Sequence, residues 1–266
     1  MKPPEIPTID INITSRTTNL SAAITAWGRE QGRQGQPSRL PNVAIAPDLG
    51  AYDISSTCVV GHLEVGSGTN IRINSCQFTL TTGNLGGNLE HNRQIIVKHK
   101  LVVAGSYKGS SGADLVLNLS LRPSGVALSD MFIHIKGPAE ADYIIVVPVT
   151  MAENDSEKFA NIVFDSPVKV VKIHMAQCNV KCPKLETTGM IQLWPADIPA
   201  QKTLPTVTVE GLWHHNVDSN DVQYPVRCDE FLFKGHPTYA KQLESKVIIN
   251  GPQLPTSVLE EEYVFI

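Results

Sequence analysis

The sequence predicts an all-β protein, an antiparallel β-sandwich of jelly-roll type with an irregular N-terminal arm that contains one short helix. Short segments in which apolar and polar residues alternate recur from about residue 54 to the C-terminus, as expected for strands. Turn signals separate these segments, and the chain has 19 glycines and 18 prolines. Helical patterns between the segments are nearly absent, which excludes a doubly wound α/β fold.

The composition is that of a folded globular chain. Of the 266 residues, 42% are hydrophobic and 18% are charged, whereas about 25% charged residues are usual. The length suits one large all-β domain, and we predict an arm over residues 1–50 and a single β-sandwich domain over residues 51–266. The net charge of −4 argues against a protein that coats nucleic acid through phosphate contacts.

The N-terminal arm has six prolines and room for one helix, which we predict over residues 21–30. Ser21 can cap it, and Ile24 and Trp27 lie three residues apart on one helical face. The arm holds apolar side chains that should be buried against a neighbouring chain, namely Ile9, Ile11, Ile13, Leu20, Ile24 and Trp27. Deleting residues 1–50 should then leave a folded β domain that no longer assembles.

The clearest strands lie over residues 95–103 and 115–121. Alternating leucines mark the second of them, and the flexible segment 106–112 between the two predicts an antiparallel hairpin. In residues 71–80 the apolar face changes register at Asn74 and Ser75, which indicates a bulge. No repeat of fixed spacing is visible, which argues against a propeller or a solenoid. Further strands are predicted over residues 56–65, 131–136, 143–151, 161–164, 168–175, 189–193, 206–212, 246–249 and 262–266.

The best metal candidate combines Cys178 and Cys182 with His214 and His215, since two thiolates and two imidazoles can bind zinc. The spacing of the cysteines is at the wide limit, and adjacent histidines in an extended segment point to opposite faces. We therefore expect no bound metal and no cofactor. The five cysteines are an odd number in a chain without an export signal, which predicts reduced thiols in an intracellular protein.

No motif in the chain indicates an enzyme. The glycine-rich loops lack the Gly-Lys-Ser/Thr that opens a phosphate-binding helix, and residues 109–113 lack the second glycine of a nucleophile elbow. We predict no catalytic residues. The arginines of the arm, Arg29, Arg33 and Arg39, could contact phosphate, although three charges give only a weak and salt-sensitive interaction.

In its architecture the chain resembles the jelly-roll coat proteins of small non-enveloped positive-strand RNA viruses. The arm of residues 1–50, the hairpin of residues 95–121 and the strand series to residue 212 carry this resemblance. It implies a self-assembling viral capsid subunit, found in the host cytoplasm and the virion, whose partners are copies of itself, other coat chains and, weakly, RNA. No membrane contact or secretion is implied. Many such coats have a strongly basic arm and this one does not, which places it nearer the picornavirus-like coats.

Two alternatives remain open at the level of the sequence. A plant-virus movement protein of the 30K type is similar in size and is β-rich, but the acidic balance and the missing basic tail count against it. A lectin-like carbohydrate-binding module would use exposed aromatic residues as sugar platforms, and Trp194 and Trp213 are the candidates.

Overall fold

A computed structural model describes residues 7–34, 39–74, 76–149, 159–175, 177–193, 207–215, 226–233 and 247–249. These residues form one α-helix, α1 (Leu20–Arg33), two short 3-10 helices (Leu119–Leu121 and Leu128–Asp130) and 19 strands. The strands are β1 Ile11–Ile13, β2 Asn42–Ile45, β3 Gly50–Ile54, β4 Cys58–Val65, β5 Thr69–Ile73, β6 Phe78–Leu85, β7 Leu89–His91, β8 Gln94–Val103, β9 Tyr107–Gly109, β10 Asp114–Asn118, β11 Phe132–Ile135, β12 Ala139–Val147, β13 Ala160–Phe164, β14 Val168–Met175, β15 Cys178–Cys182, β16 Leu185–Leu193, β17 Val207–His215, β18 Val226–Phe233 and β19 Val247–Ile249. The strand predicted over residues 262–266 lies outside the described residues.

The strands lie in three stacks, and the chain visits them in the same order in each coil. Stack A contains β1, β2, the second halves of β4, β6 and β8, then β11, β13, β15 and the first halves of β17 and β18, and β19. Stack B contains β3, β5, β7, β9, the first parts of β12, β14 and β16, and the second halves of β17 and β18. Stack C contains the first halves of β4, β6 and β8, then β10 and the ends of β12, β14 and β16. The described residues therefore form a parallel β-helix, in which each strand pairs with its counterpart one coil later.

The prediction of an antiparallel jelly-roll sandwich is wrong. Every strand pairing among the described residues is parallel. This includes the pairing of β8 with β10, in which Ile95 lies opposite Leu115. The expected hairpin of residues 95–121 is absent for the same reason, since β9 intervenes and carries the chain through stack B. The register change after Ile73 marks a corner between β5 and β6, and Ser75 lies outside the described residues.

The exclusion of a solenoid is also wrong, because the repeat is present but its length varies. In stack A, Val43 pairs with Leu63, Leu63 with Gly83 and Gly83 with Leu101, so these three coils are nearly equal in length, whereas the coil before them, from Ile11 to Val43, is longer. The next coil is much longer, because Leu101 pairs with Ile133. The two 3-10 helices lie in this longer coil.

The core fills the inside of the coils with one inward side chain stacked on the next. In stack A a single column of buried residues runs through successive coils: Ile13, Ile45, Val65, Leu85, Val103, Ile135, Phe164, Cys182 and Val209. Strands that pair at about 4.8 Å bring such like residues into direct contact. Burying each large aliphatic side chain contributes about 1.5–3 kcal/mol, so the apolar columns hold the coils together.

Close turns join stack A to stack B and depend on glycine. A Cβ atom on Gly137 would lie 2.6 Å from the carbonyl carbon of Gly105 in the preceding coil, nearer than real Cβ atoms approach. Beside this corner, the Oδ1 atom of Asn70 accepts the N–H of Asn88 at 3.0 Å, and the Oδ1 atom of Asn88 accepts the N–H of Ser106 at 2.7 Å. These side chains satisfy backbone donors at the turns, where no ladder partner is present.

The first end of the β-helix is covered by α1. The predicted helix is confirmed. It begins at Leu20, because Asn19 rather than Ser21 caps it by accepting the N–H of Ala22 at 2.9 Å, and it continues to Arg33. Leu20 is buried, and Ala23, Ile24 and Trp27 pack against the core. The helix therefore closes the apolar interior at this end, as terminal caps do in solenoids.

The described residues of the arm, 7–34 and 39–50, pack on the chain's own β-helix. β1 pairs with β2, which in turn pairs with β4, and the proposed boundary after residue 50 falls inside β3. Ile11 and Ile13 are buried and Ile9 is half-buried. The burial of these arm residues is thus explained within one chain, and their contact with a neighbouring chain stays a prediction.

Candidate functional site

A row of charged side chains runs along the outer side of stack B. The charged members alternate in sign from one coil to the next, and each pairs in register with the next: Asp53, Arg72, Glu90, Lys108, Glu140, Lys169 and Glu186, after which His214 completes the row. We call this row the charge ladder. Asp53 to Lys169 are all exposed, and Glu186 and His214 are half-buried.

The charge ladder stabilises the register of the coils. Cross-strand pairs of opposite charge contribute roughly 0.2–1 kcal/mol each, and like charges placed opposite one another are destabilising. The Nε atom of Arg72 lies 3.9 Å from the Oε2 atom of Glu90, with both side chains about half exposed. If a coil paired with the next coil but one, like charges would lie opposite one another. The alternation of charges therefore favours pairing between consecutive coils.

A groove adjoins the C-terminal half of the charge ladder, where stack B bends into stack C. In this region β12, β14 and β16 are continuous through both stacks, and their register skips a residue between Val170 and Lys172. The groove has a volume of about 450 Å³ and is lined by Gly109, Ser111, Glu140, Ala141, Asp142, Lys169, Val170, Val171, Glu186 and Thr188.

A turn between β9 and β10 closes one end of the groove. The N–H of Ala113 donates to the carbonyl of Ser110 at 2.9 Å, and Gly112 adopts a φ of 80°, which favours glycine. The N–H of Gly112 donates to the carboxylate of Asp142 in the next coil. Asp142 therefore holds the turn against the floor of the groove.

The groove offers hydrogen-bond acceptors and donors at intervals of one strand. Glu140, Asp142 and Glu186 present carboxylates, and Lys169 presents an ammonium group between the two glutamates. Ser111 and Thr188 add hydroxyl groups, which both donate and accept. Val171 is 38% exposed and gives the floor an apolar patch. Glu140, Lys169 and Glu186 pair in register on neighbouring strands, so their spacing is fixed before any ligand arrives. Asp142, Val171 and Thr188 lie where the register shifts.

The cysteines and histidines of the metal candidate are not brought together. Cys178 and Cys182 both face the core from opposite ends of β15, about 13 Å apart along a strand. His214 belongs to the outer charge ladder, and His215 is buried with its Nδ1 atom 2.5 Å from the hydroxyl of Thr187. Within the described parts of the chain, no three potential metal-ligating side chains cluster.

The five cysteines are buried free thiols. Burial raises the pKa of the Cys182 thiol to about 12 and that of Cys228 to about 12, and nearby carboxylates add to both shifts. The pKa of Cys178 is raised by burial as well. Because the thiolate is the reactive form, these side chains act as small apolar groups in the core.

The arginines of the arm occupy different settings. Arg29 and Arg33 are exposed on α1. Arg39 donates from both terminal nitrogens to the carboxylate of Asp10, at 2.5 and 2.6 Å, and its guanidinium lies 5.3 Å from the centre of the Trp27 ring. The hydrogen bond from Arg39 lowers the pKa of Asp10. Arg39 thus links α1 to β1, and a contact of the three arginines with nucleic acid stays a prediction.

Trp213 does not present its ring to solvent. It is fully buried, and its Nε1–H donates to the hydroxyl of Thr187 at 3.2 Å. A sugar platform on this residue is therefore blocked by the core, and Trp194 lies outside the described residues.

Neither the charge ladder nor the groove was predictable from local sequence patterns. Neighbours in the charge ladder, such as Lys108 and Glu140, pair across a whole coil of the chain, so no local motif contains them. The only signal was a charged residue within each short stack B segment, and it acquires meaning only when the segments are aligned in parallel.

Comparison of the chain with family models, curated proteins and solved structures gives no match. In the described part of the chain, no helix is both long and apolar enough to cross a bilayer.

Proposed function

We propose that the chain is a binding protein that holds a linear, uncharged glycan in the groove between stacks B and C. The observation that carries the proposal is the composition of the groove. Carboxylates, an ammonium group and hydroxyl groups stand on successive coils. Sugar hydroxyls can donate hydrogen bonds to the carboxylates and accept them from the ammonium group. The spacing between neighbouring strands, about 4.8 Å, is comparable to the length of one pyranose unit. An extended chain of sugars can therefore contact each coil in turn.

The charges of the groove favour a neutral ligand over a polyanion. Glu140, Asp142 and Glu186 outnumber Lys169, so a phosphate or uronate chain would be repelled. Nucleic acid binding depends on several cationic contacts, which this groove does not provide. Val171 supplies an apolar contact for the C–H face of a sugar ring.

Calorimetric titration with defined oligosaccharides tests this proposal. The probes are the hexamers of β-1,4-linked glucose, xylose, mannose and N-acetylglucosamine, with hexagalacturonate as the anionic contrast. We expect at least one neutral hexamer to bind and hexagalacturonate not to bind. Glu140→Gln should weaken binding about tenfold or more, because a hydrogen bond to a charged group contributes about 1.5–3 kcal/mol.

The matched control is Glu210→Gln. Glu210 is an exposed glutamate whose carboxylate lies 2.5 Å from Lys181, away from the groove, and its replacement should leave glycan affinity unchanged. If no neutral hexamer binds, or if both variants lose affinity equally, the groove is not a glycan site. Chromatography of the same mixtures should show intact hexamers, and shortened products would instead indicate a hydrolase.

Self-association stays a separate proposal. The coat-protein role was predicted from a jelly roll, and the parallel β-helix removes that architectural basis. What supports self-association now is the pattern of charges on stack B rather than the N-terminal arm.

A further inference from the structure

The N-terminal half of the charge ladder forms a neutral, exposed row of four charges. Asp53, Arg72, Glu90 and Lys108 alternate in sign on β3, β5, β7 and β9, and all four side chains are exposed. None of them lines the groove. The side chains project from the outer surface of stack B, whose other side faces the core.

This row is complementary to itself. A second copy, related to the first by a two-fold axis that passes between the Arg72 and Glu90 coils, presents the same row in reverse order. Asp53 then lies opposite Lys108 of the second copy, and Arg72 lies opposite Glu90. Both rows have the same strand spacing of about 4.8 Å, so all four pairs of opposite charge come into register together.

We propose that the outer surface of stack B from Asp53 to Lys108 is a docking surface for a second copy of this chain, placed antiparallel about a two-fold axis. Two-fold dimers use the same patch on both subunits, which this row satisfies. A polyanion or a polycation would meet like charges at every second coil, whereas a second copy meets opposite charges at every coil. Charge complementarity therefore selects the chain itself as the partner.

The dimer depends on salt. The pairing charges are exposed, and exposed ion pairs add little affinity but set orientation and register. The Debye length is about 10 Å at 0.1 M salt and about 3 Å at 1 M. Sedimentation velocity should show a monomer–dimer equilibrium at low ionic strength that shifts to monomer as salt is added.

Two charge reversals provide the decisive experiment. In Arg72→Glu homodimers and in Glu90→Arg homodimers, like charges meet twice at the centre of the interface. The dissociation constant of each variant alone should rise by at least roughly tenfold, which corresponds to about 1.4 kcal/mol. An equimolar mixture of the two variants should dimerise again, because the new glutamate on one subunit meets the new arginine on the other.

The mixture distinguishes charge pairing between two subunits from charge pairing within one chain. Each reversal also places like charges together within one chain, and mixing cannot repair that. The control Lys181→Glu disrupts an exposed ion pair with Glu210 on stack A and should leave the dimer intact, and circular dichroism establishes that all variants are folded. A wild-type chain that stays monomeric at low salt, reversals without effect, or a mixture that stays monomeric would each overturn the proposal.

Discussion

A single buried histidine makes the stability of the β-helix depend on pH. His91 is 1% exposed, and its Nδ1–H donates to the carbonyl of Arg93 at 2.7 Å while its Nε2 accepts the hydroxyl of Tyr107 at 2.5 Å. Burial lowers the pKa of His91 from 6.5 to about 4. Between these values the unfolded chain binds a proton that the folded chain excludes, so stability is complete above pH 6.5 and falls as the pH decreases. The loss attributable to His91 should reach roughly 3 kcal/mol near pH 4.

Denaturant unfolding of the wild type and of His91→Gln, from pH 7 to pH 4, measures this contribution. The pKa values of His99 and His174 are lowered by burial too, so both proteins should lose stability on acidification. The variant should start from a lower free energy of unfolding and lose less of it over the same range. Parallel pH profiles for the two proteins would show that His91 is not responsible.

At the scale of one element, two leucines that look equivalent in the sequence have opposite environments. Leu117 on β10 is fully buried, whereas Leu121 is 45% exposed. Leu117→Ala should lower the free energy of unfolding by about 2–5 kcal/mol, because it removes buried methyl groups and leaves a cavity. Leu121→Ala should change it by less than about 0.5 kcal/mol, as exposed positions do. Equal losses in urea denaturation would contradict this assignment.

The same strand shows how far the sequence can predict an element. Alternation identified Leu115 and Leu117 as inward residues, since the period of two is a property of the pleat in any sheet. It could not reveal whether the partner strand is parallel or antiparallel, because alternation is common to both. It also continued the strand to Leu121, whereas the Asn118 side chain accepts the N–H of Ser120 at 3.1 Å and begins a 3-10 helix. Asparagine side chains compete with ladder hydrogen bonds in this way.

At the scale of the whole molecule, the sequence did not reveal which strand segments pair with one another. The coils of stack A differ in length because some contain insertions, as between Ile11 and Val43 and between Leu101 and Ile133, so no constant period is visible in the sequence. The alternation of charges in the charge ladder and the lining of the groove both depend on that alignment. The sequence therefore predicted the helix and many of the inward-facing positions. It did not predict the topology or the candidate site.

Deleting residues 1–50 tests the architecture as a whole. The sequence alone suggested that a folded domain would survive this deletion and lose only its ability to assemble. In the β-helix, the deletion removes β1, α1 and β2, which uncovers the edge of β4 and exposes Leu63 and Val65 at the end of the core. An uncovered strand edge pairs with other chains, so light scattering should show aggregation and thermal unfolding should occur at a lower temperature than in the full chain. A truncated chain that does not aggregate and unfolds at the same temperature as the full chain would show that the first coil and its helix are not the cap of the β-helix.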